Sequence, residues 1–313
     1  MIKIKESNEK TKGQLWRWLN YEDVTGKKGI DKVKDNIIFV NGTEKADIGI
    51  SWHGEKVEGI SPTKCILMKN EPPIYNVFFG RNLSDERFTK IYLKTMASHK
   101  INNTDVYYNI PRYEFSEVSK YFDVPKTEFM CMVLRNKKWS RYINKFDVKN
   151  TVFNKNSLLK YRKNMDKFFC KNLGKNKYHS YGGPWMYPCY QGQISDGIGD
   201  KWETMSKYKF TFCPENSRFD GYVTEKPIQP MCMGSIPIYL GAPDVYDYLP
   251  EGTFIHADDY KPKELLDYIK YMSKGEYMNY IKRIRKFITT EESKKFSSVE
   301  FAKKFMGVVE EIK

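Results

Sequence analysis

KFTFCPENSRFDGYVTEKPIQPMCMGSIPIYLG, residues 209–241, reads as strand, turn, helix and strand in that order. KFTFCPEN (209–216) is a short apolar strand that halts at Pro214 and Asn216, and Asp220-Gly221 adds a second turn signal. A helix opens near Thr224, and SIPIYLG (235–241) is a buried strand bracketed by Gly234 and Gly241. A strand that returns to a strand through a helix builds a parallel sheet. The rhythm extends in both directions. Upstream lie MIKIKE (1–6), NIIFVNG (36–42), ADIGISW (46–52), KCILMKNE (64–71) and a helix expected from Asp85 to about His99. A polar stretch, YFDVPKTE (121–128), then precedes the apolar strand FMCMVLRN (129–136) and marks a domain boundary. Downstream come the strand TFIHADDY (253–260) and the helix KPKELLDYIKYMS (261–273). The expected fold is α/β, with two Rossmann-like domains over 1–128 and 129–288 and a basic C-terminal helix over 289–313. A cleft between two such halves suits a nucleotide ligand at strand C-terminal ends.

Composition narrows the class without naming a ligand. The 313 residues carry 40% apolar and 15% aromatic side chains, too many for a disordered chain. A formal charge of +14 attracts polyanions in general, whether nucleic acid, anionic membrane or nucleotide phosphate. Lys is spread along the whole length among Asn and Tyr, so a solvated basic surface explains most of the excess. The stretch from Tyr277 onward is helical in pattern and contains KRIRKF. A solvated helix face is the expectation there, with peripheral membrane contact as the alternative. The six cysteines show no C-x-x-C pair and no zinc-ligand spacing, and they read as reduced, mostly buried thiols. No run of about 18 or more apolar residues occurs, and the N-terminus carries no signal-peptide pattern, which sets a cytoplasmic expectation.

Cys213 to Pro227 is also the densest candidate for chemistry. A helix N-terminus presents free N–H groups and the positive end of its dipole, an arrangement suited to a diphosphate, and Lys226 adds a mobile positive charge. Glu225 offers an acceptor to ribose hydroxyls. A plain capping arrangement, with Thr224 at the helix start and acids nearby, accounts for the same residues equally well.

The string YKFTFCPENSRFDGYVTEKPIQPMCMGSIPIYLGAPDVYDYLPEGTFIHADDY (208–260) resembles the donor-site signature of the α-1,3/4-fucosyltransferases, glycosyltransferase family 10. Several elements match in order: the K-F run ending in E-N-S, Y-V-T-E-K, S-I-P-I-Y-L-G and T-F-I-H-A-D-D-Y. The resemblance implies a GT-B architecture and a metal-independent, inverting transfer from GDP-fucose. It also implies an N-terminal domain that holds the acceptor glycan, an α-1,3 linkage by default, and no cofactor beyond the donor. Carried over, Asn216, Tyr222, Glu225 and Lys226 fall on donor-binding positions, with Glu225 near the ribose and Lys226 on the diphosphate. The family also grips the diphosphate with an Arg on an upstream helix. Arg162, in NSLLKYRKNMDKFF, matches best because Tyr181-Gly182-Gly183 follows at about the family's distance; Arg135 and Arg141 are alternatives. Pro214 and Pro227 depart from the usual residues, and Pro227 is tolerated in a first helical turn.

Inverting transfer needs a base beside the acceptor hydroxyl. Glu71 ends a strand just before Pro72-Pro73, and the resemblance aligns it with the family's catalytic Glu. Trp52 and His53, in SWHG (51–54), are candidates for lining the acceptor site, although core packing is the more ordinary role for Trp52. No D-x-D pair, Walker loop, G-x-S-x-G or H-E-x-x-H occurs, so no metal site is expected. A nucleic-acid-binding reading lacks an RNP-like or zinc signature, and no nucleic-acid partner is expected.

Overall fold

The computed structural model describes residues 1–7, 14–23, 25–40, 44–52, 54–69, 92–98, 100, 104–111, 114–135, 156–183, 185–194 and 200–312. Packing divides them into two compact units: Met1–Ser116 with Phe219–Tyr222 and Glu292–Lys313, and Glu117–Arg218 with Val223–Glu291.

The first unit holds a six-stranded sheet of β1 (Ile2–Glu6), β2 (Ile37–Phe39), β3 (Ile48–Trp52), β4 (Cys65–Lys69), β5 (Lys94–Ala97) and β6 (Val106–Tyr107). Its order is β2-β1-β3-β4-β5-β6, and every pairing is parallel. Helices α1 (Gln14–Leu19) and α2 (Ile30–Val33) join the early strands. All five residues of β3 and of β4 are buried, which explains their near-continuous apolar reading. Residues 94–97 correct the expected helix. Lys, Met and Ala favour a helix locally, but pairing with β4 from Ile66↔Lys94 to Lys69↔Ala97 makes them a strand. Residues 92, 93 and 98 are bends, and 85–91 and 99 of that expected helix lie outside the described residues.

The second unit holds β7 (Glu128–Leu134), β8 (Tyr178–Gly182), β9 (Tyr208–Phe212), β10 (Ile236–Tyr239) and β11 (Ile255–His256) in the order β11-β10-β9-β7-β8, again all parallel. Helices α3 (Val118–Tyr121), α4 (Leu159–Leu173), α5 (Asp200–Ser206), α6 (Glu225–Cys232), α7 (Pro262–Tyr271) and α8 (Lys274–Thr289) accompany it. The strand expected over 253–260 is shorter than its sequence pattern, because a 3-10 turn takes over at Ala257–Asp259. The stretch 121–128 belongs to this unit. Lys126 holds it there by donating to the carbonyls of Phe122 (3.3 Å), Ser206 (2.6 Å) and Met233 (2.7 Å).

Two further expectations change. Cys170 on α4 and Cys189 beyond β8 form a disulfide with Cα atoms 5.7 Å apart, while Cys65, Cys131, Cys213 and Cys232 are free and buried. The last helix, α9 (Ser298–Glu311), is no solvated appendage. It buries Phe301, Ala302, Phe305, Met306, Val308 and Val309 in the core of the first unit. The exposed basic face lies instead on α8, where Lys282, Arg283, Arg285 and Lys286 face outward around buried Ile284 and Phe287. No described helix is long and apolar enough to cross a membrane.

Candidate functional site

The second sheet reverses its direction of growth between β7 and β9, and ligands of doubly wound sheets bind at the strand C-terminal ends beside such a reversal. β9 leads there. Beyond Phe212 its ladder continues, with Cys213 N–H donating to Ile238 O at 2.9 Å and Glu215 N–H to Leu240 O at 2.7 Å. This extension carries Glu215 to a fully buried position. Its Oε1 accepts from the Thr224 backbone N–H (2.8 Å) and Oγ1 (2.7 Å), and its Oε2 accepts from Lys226 Nζ at 2.8 Å. Gly241 is required beside it, since a Cβ there would collide with the Tyr239 hydroxyl and Glu215 Cγ.

Thr224 is the N-cap of α6, and Glu225 and Lys226 form its first turn. Lys226 Nζ also bonds Thr224 Oγ1 at 2.9 Å and lies 3.3 Å from Glu225 Oε1. Burial alone would push this ammonium down, but Glu215 and Glu225 outweigh it and hold the pKa above its ordinary value. Burial pushes the Glu215 carboxyl up, against the pull of Lys226. Arg162, on α4, donates through Nε to Glu215 O (3.0 Å) and through Nη2 to Pro214 O (2.7 Å). It sets the backbone of the 214–215 corner and places a second cation close enough to act on Lys226. The cluster is thus a helix N-terminus with two cations and two carboxylates, one of them, Glu225, partly exposed.

Arg162, Glu225 and Lys226 come together around Glu215, and Asn216 follows it in the chain. Asn216 is buried, and its carbonyl accepts from Leu158 N–H at 2.9 Å. Tyr222 is also buried, but its segment, Phe219–Tyr222, packs with the first unit. Arg135 is exposed just past β7. Trp52 takes the core-packing role rather than lining an acceptor site: it is 3% exposed, its indole N–H donates to Glu6 Oε2 at 2.9 Å, and Trp18 meets it edge-on at 5.2 Å. Its ring has no open face for a sugar. Glu71, His53 and Arg141 lie outside the described residues. Glu215 is the member of the cluster that residue-by-residue reasoning missed, although the E-N-S run displays it. Among the described residues no group of three or more His, Cys, Asp or Glu side chains is arranged to hold a metal ion.

Residues 184–309 match the model of glycosyltransferase family 10 (fucosyltransferase), C-terminal region. That stretch is similar to the C-terminal region of the family. It contains Glu215, Thr224, Glu225 and Lys226, whereas Arg162 precedes it. Alpha-(1,3)-fucosyltransferase FucT of Helicobacter pylori is 39% identical over 97 residues, which cover 29% of this chain and 20% of that protein. GDP-fucose protein O-fucosyltransferase 3 of Danio rerio is 34% identical over 86 residues, covering 26% and 19%. The chain therefore spans about a fifth of the length of these curated relatives. At the level of fold the likeness is wider. A crystal structure of α1,3-fucosyltransferase with GDP superposes with TM-score 0.61 and 17% identity over 99% of this chain and 90% of that one. An α-glucosyltransferase in complex with UDP gives TM-score 0.53 and 11% identity over 98% and 99%. The two parallel-sheet units are the GT-B fold of these neighbours.

Proposed function

We propose that the protein transfers L-fucose from GDP-fucose to a hydroxyl of an acceptor glycan, with inversion at the anomeric carbon and an α-1,3 linkage. The observation that carries this reading is the cluster of Lys226, Glu225 and Arg162 around Glu215 at the N-terminus of α6, inside or beside the stretch similar to family 10. A departing diphosphate needs its charge balanced. Here Lys226 and the α6 dipole supply that balance directly, and Arg162 adds charge while fixing the corner. Glu225, partly exposed on the first turn, is the acceptor for the donor ribose. The reaction is proposed to need no metal ion, so activity should survive EDTA; loss on chelation restored by manganese or magnesium would overturn that part.

Glu71 is the proposed base. Glu71→Gln keeps the shape but cannot take a proton, so turnover should fall by about 10²–10⁴-fold while GDP binding persists. Glu58→Gln, at an exposed acid of the same unit, serves as the control. Wild-type turnover in Glu71→Gln removes Glu71 from the mechanism. A cytoplasmic setting goes less well with the Cys170–Cys189 bridge, because reducing compartments keep such thiols apart.

A second reading keeps the fold and changes the donor, motivated by the α-glucosyltransferase neighbour bound to UDP. Melting curves with GDP, UDP, GDP-fucose and GDP-mannose separate the two, since a ligand of the native state raises the transition.

A further inference from the structure

Arg218 and Asp258 form an ion pair that the proposed chemistry does not use. Arg218 follows β9 just beyond Glu215, and Asp258 follows β11, so both stand at the strand ends where the second sheet offers a ligand site. Arg218 Nη1 lies 2.5 Å from Asp258 Oδ2, and the two side chains keep 32% and 40% of their surface exposed. The pair is therefore available to a ligand as well as to itself. The Arg218 backbone is pinned. Its N–H donates to Asn156 O at 2.7 Å, Leu158 N–H donates to Asn216 O at 2.9 Å, and Ser157 and Ser217 form an antiparallel bridge between these bonds. Tyr161, on α4, stands close by. Its ring is tilted against Phe212 at 6.1 Å, and its hydroxyl is pushed up to about 12 by burial, with Asp258 raising it and Arg218 lowering it.

We propose that Arg218 and Asp258 read the nucleobase of the donor, and that the base they select is guanine. The inference rests on the donor reading given above and adds the residues that would distinguish one nucleotide from another. The pair presents a guanidinium donor next to a carboxylate acceptor. Guanine offers the complement along one edge: O6 accepts from Arg218, and N1–H and the N2 amino group donate to the Asp258 carboxylate. Adenine reverses donor and acceptor at the first two positions. Uracil supplies O4 and N3–H but sets its O2 against the second carboxylate oxygen. Hypoxanthine matches guanine except for the missing N2 amino group. A site built on hydrogen bonds rejects such analogues strongly, because the unmatched group is left without a partner.

The test is calorimetric titration of the full chain with GDP, IDP, XDP and UDP, in the wild type and in Asp258→Asn, Arg218→Met and Lys226→Ala. Wild-type protein should bind GDP tightest and IDP about 10-fold or more weaker. In Asp258→Asn the amide donates where the carboxylate accepted, so GDP affinity should fall by about 10–100-fold and XDP, with a carbonyl at position 2, should overtake it. Arg218→Met should weaken GDP and IDP together and leave their ratio unchanged. Lys226→Ala should weaken all four alike. If Asp258→Asn ranks the nucleotides as the wild type does, Arg218–Asp258 is a surface ion pair only and the proposal is overturned while the GDP-donor reading stands. If wild-type protein binds no GDP, the donor reading falls and this one falls with it.

Discussion

Lys69 ends β4 with its side chain fully buried and, among the described residues, no hydrogen-bond partner for its Nζ. An ammonium so placed costs stability. Burial lowers its pKa from 10.5 to about 8, with Asp105 opposing. Because the folded-state value lies below the unfolded one, the unfolded chain binds more protons between about pH 8 and 10.5. Stability from this group therefore rises with pH across that window, and the full cost stands below pH 8. Lys69→Met should raise the melting point at pH 7, by an amount corresponding to about 3 kcal/mol at most, and the advantage should fade toward pH 10.5. Thermal scans at the two pH values check this; a Lys69→Met protein less stable than wild type at pH 7 would contradict it. Glu215 has the opposite character, since it is buried and fully engaged. Glu215→Gln leaves Lys226 without its buried counter-charge and should destabilise the protein by about 3–5 kcal/mol in urea unfolding, with weaker GDP binding. Lys226 could be picked out in the sequence through its charge at a helix start, and Arg162 only through the family resemblance, with Arg135 and Arg141 as alternatives. Glu215 could not, because its role depends on a ladder that runs past Phe212 and on a glycine at 241, both tertiary facts.

The elements show the same division between local and non-local causes. Strands β1 to β4 and β7, and helix α6 with its Thr224 cap, could be read from apolar runs and turn residues that act within a few positions. β5 could not, because its partner β4 overrides local helix preference, and the Cys170–Cys189 bridge could not, because connectivity is set by where the folded chain places the two thiols. Lys126 is another such case. In sequence it is one Lys in a polar linker, yet its ammonium meets the carbonyl at the C-cap of α3, the last residue of α5 and the C-cap of α6. Three helices thus direct the negative ends of their dipoles at one cation. Gly234 permits the convergence: it has φ 67°, and a Cβ would collide with Phe122 O and approach Lys126 Nζ. Burial lowers the Lys126 pKa from 10.5 to about 8 as it does for Lys69, but here three carbonyls accept from the ammonium, so Lys126→Met should cost about 1–3 kcal/mol, the penalty for leaving buried carbonyls unpaired. Gly234→Ala should also destabilise. If Lys126→Met unfolds at the wild-type urea midpoint, the carbonyls find other donors and the clamp is dispensable.

At the scale of the molecule, residues 292–313 close the first unit. In sequence 289–313 has the pattern of a basic helix, because Lys and Glu dominate its surface positions and no local signal says which surface its apolar stripe meets. In the structure that stripe completes the N-terminal core. Phe301 meets Trp18 at 5.4 Å and Tyr108 at 5.2 Å and stacks with Phe305 at 6.3 Å. Gly29 is packed so closely that a Cβ would strike the Ser298 backbone, while Ser298 Oγ accepts from Gly29 N–H at 2.9 Å and donates to Tyr21 O at 2.5 Å. Residues 1–116 and 292–313 therefore share one core, and this unit cannot be completed until α9 is in place. Removing Glu292–Lys313 should expose Trp18, Trp52 and Tyr108 and unfold the first unit, whereas the second unit retains its own sheet. Phe301→Ala is the milder form and should cost about 3–5 kcal/mol, the usual loss for a large aromatic removed from a core. Circular dichroism and Trp fluorescence of the two variants give the readout. The truncated chain should lose part of its helical and sheet signal and shift Trp emission to the red, with GDP binding at the Glu215–Lys226 cluster retained, because that cluster belongs to the second unit. A truncated chain with wild-type fluorescence and melting would show that the first unit closes without α9.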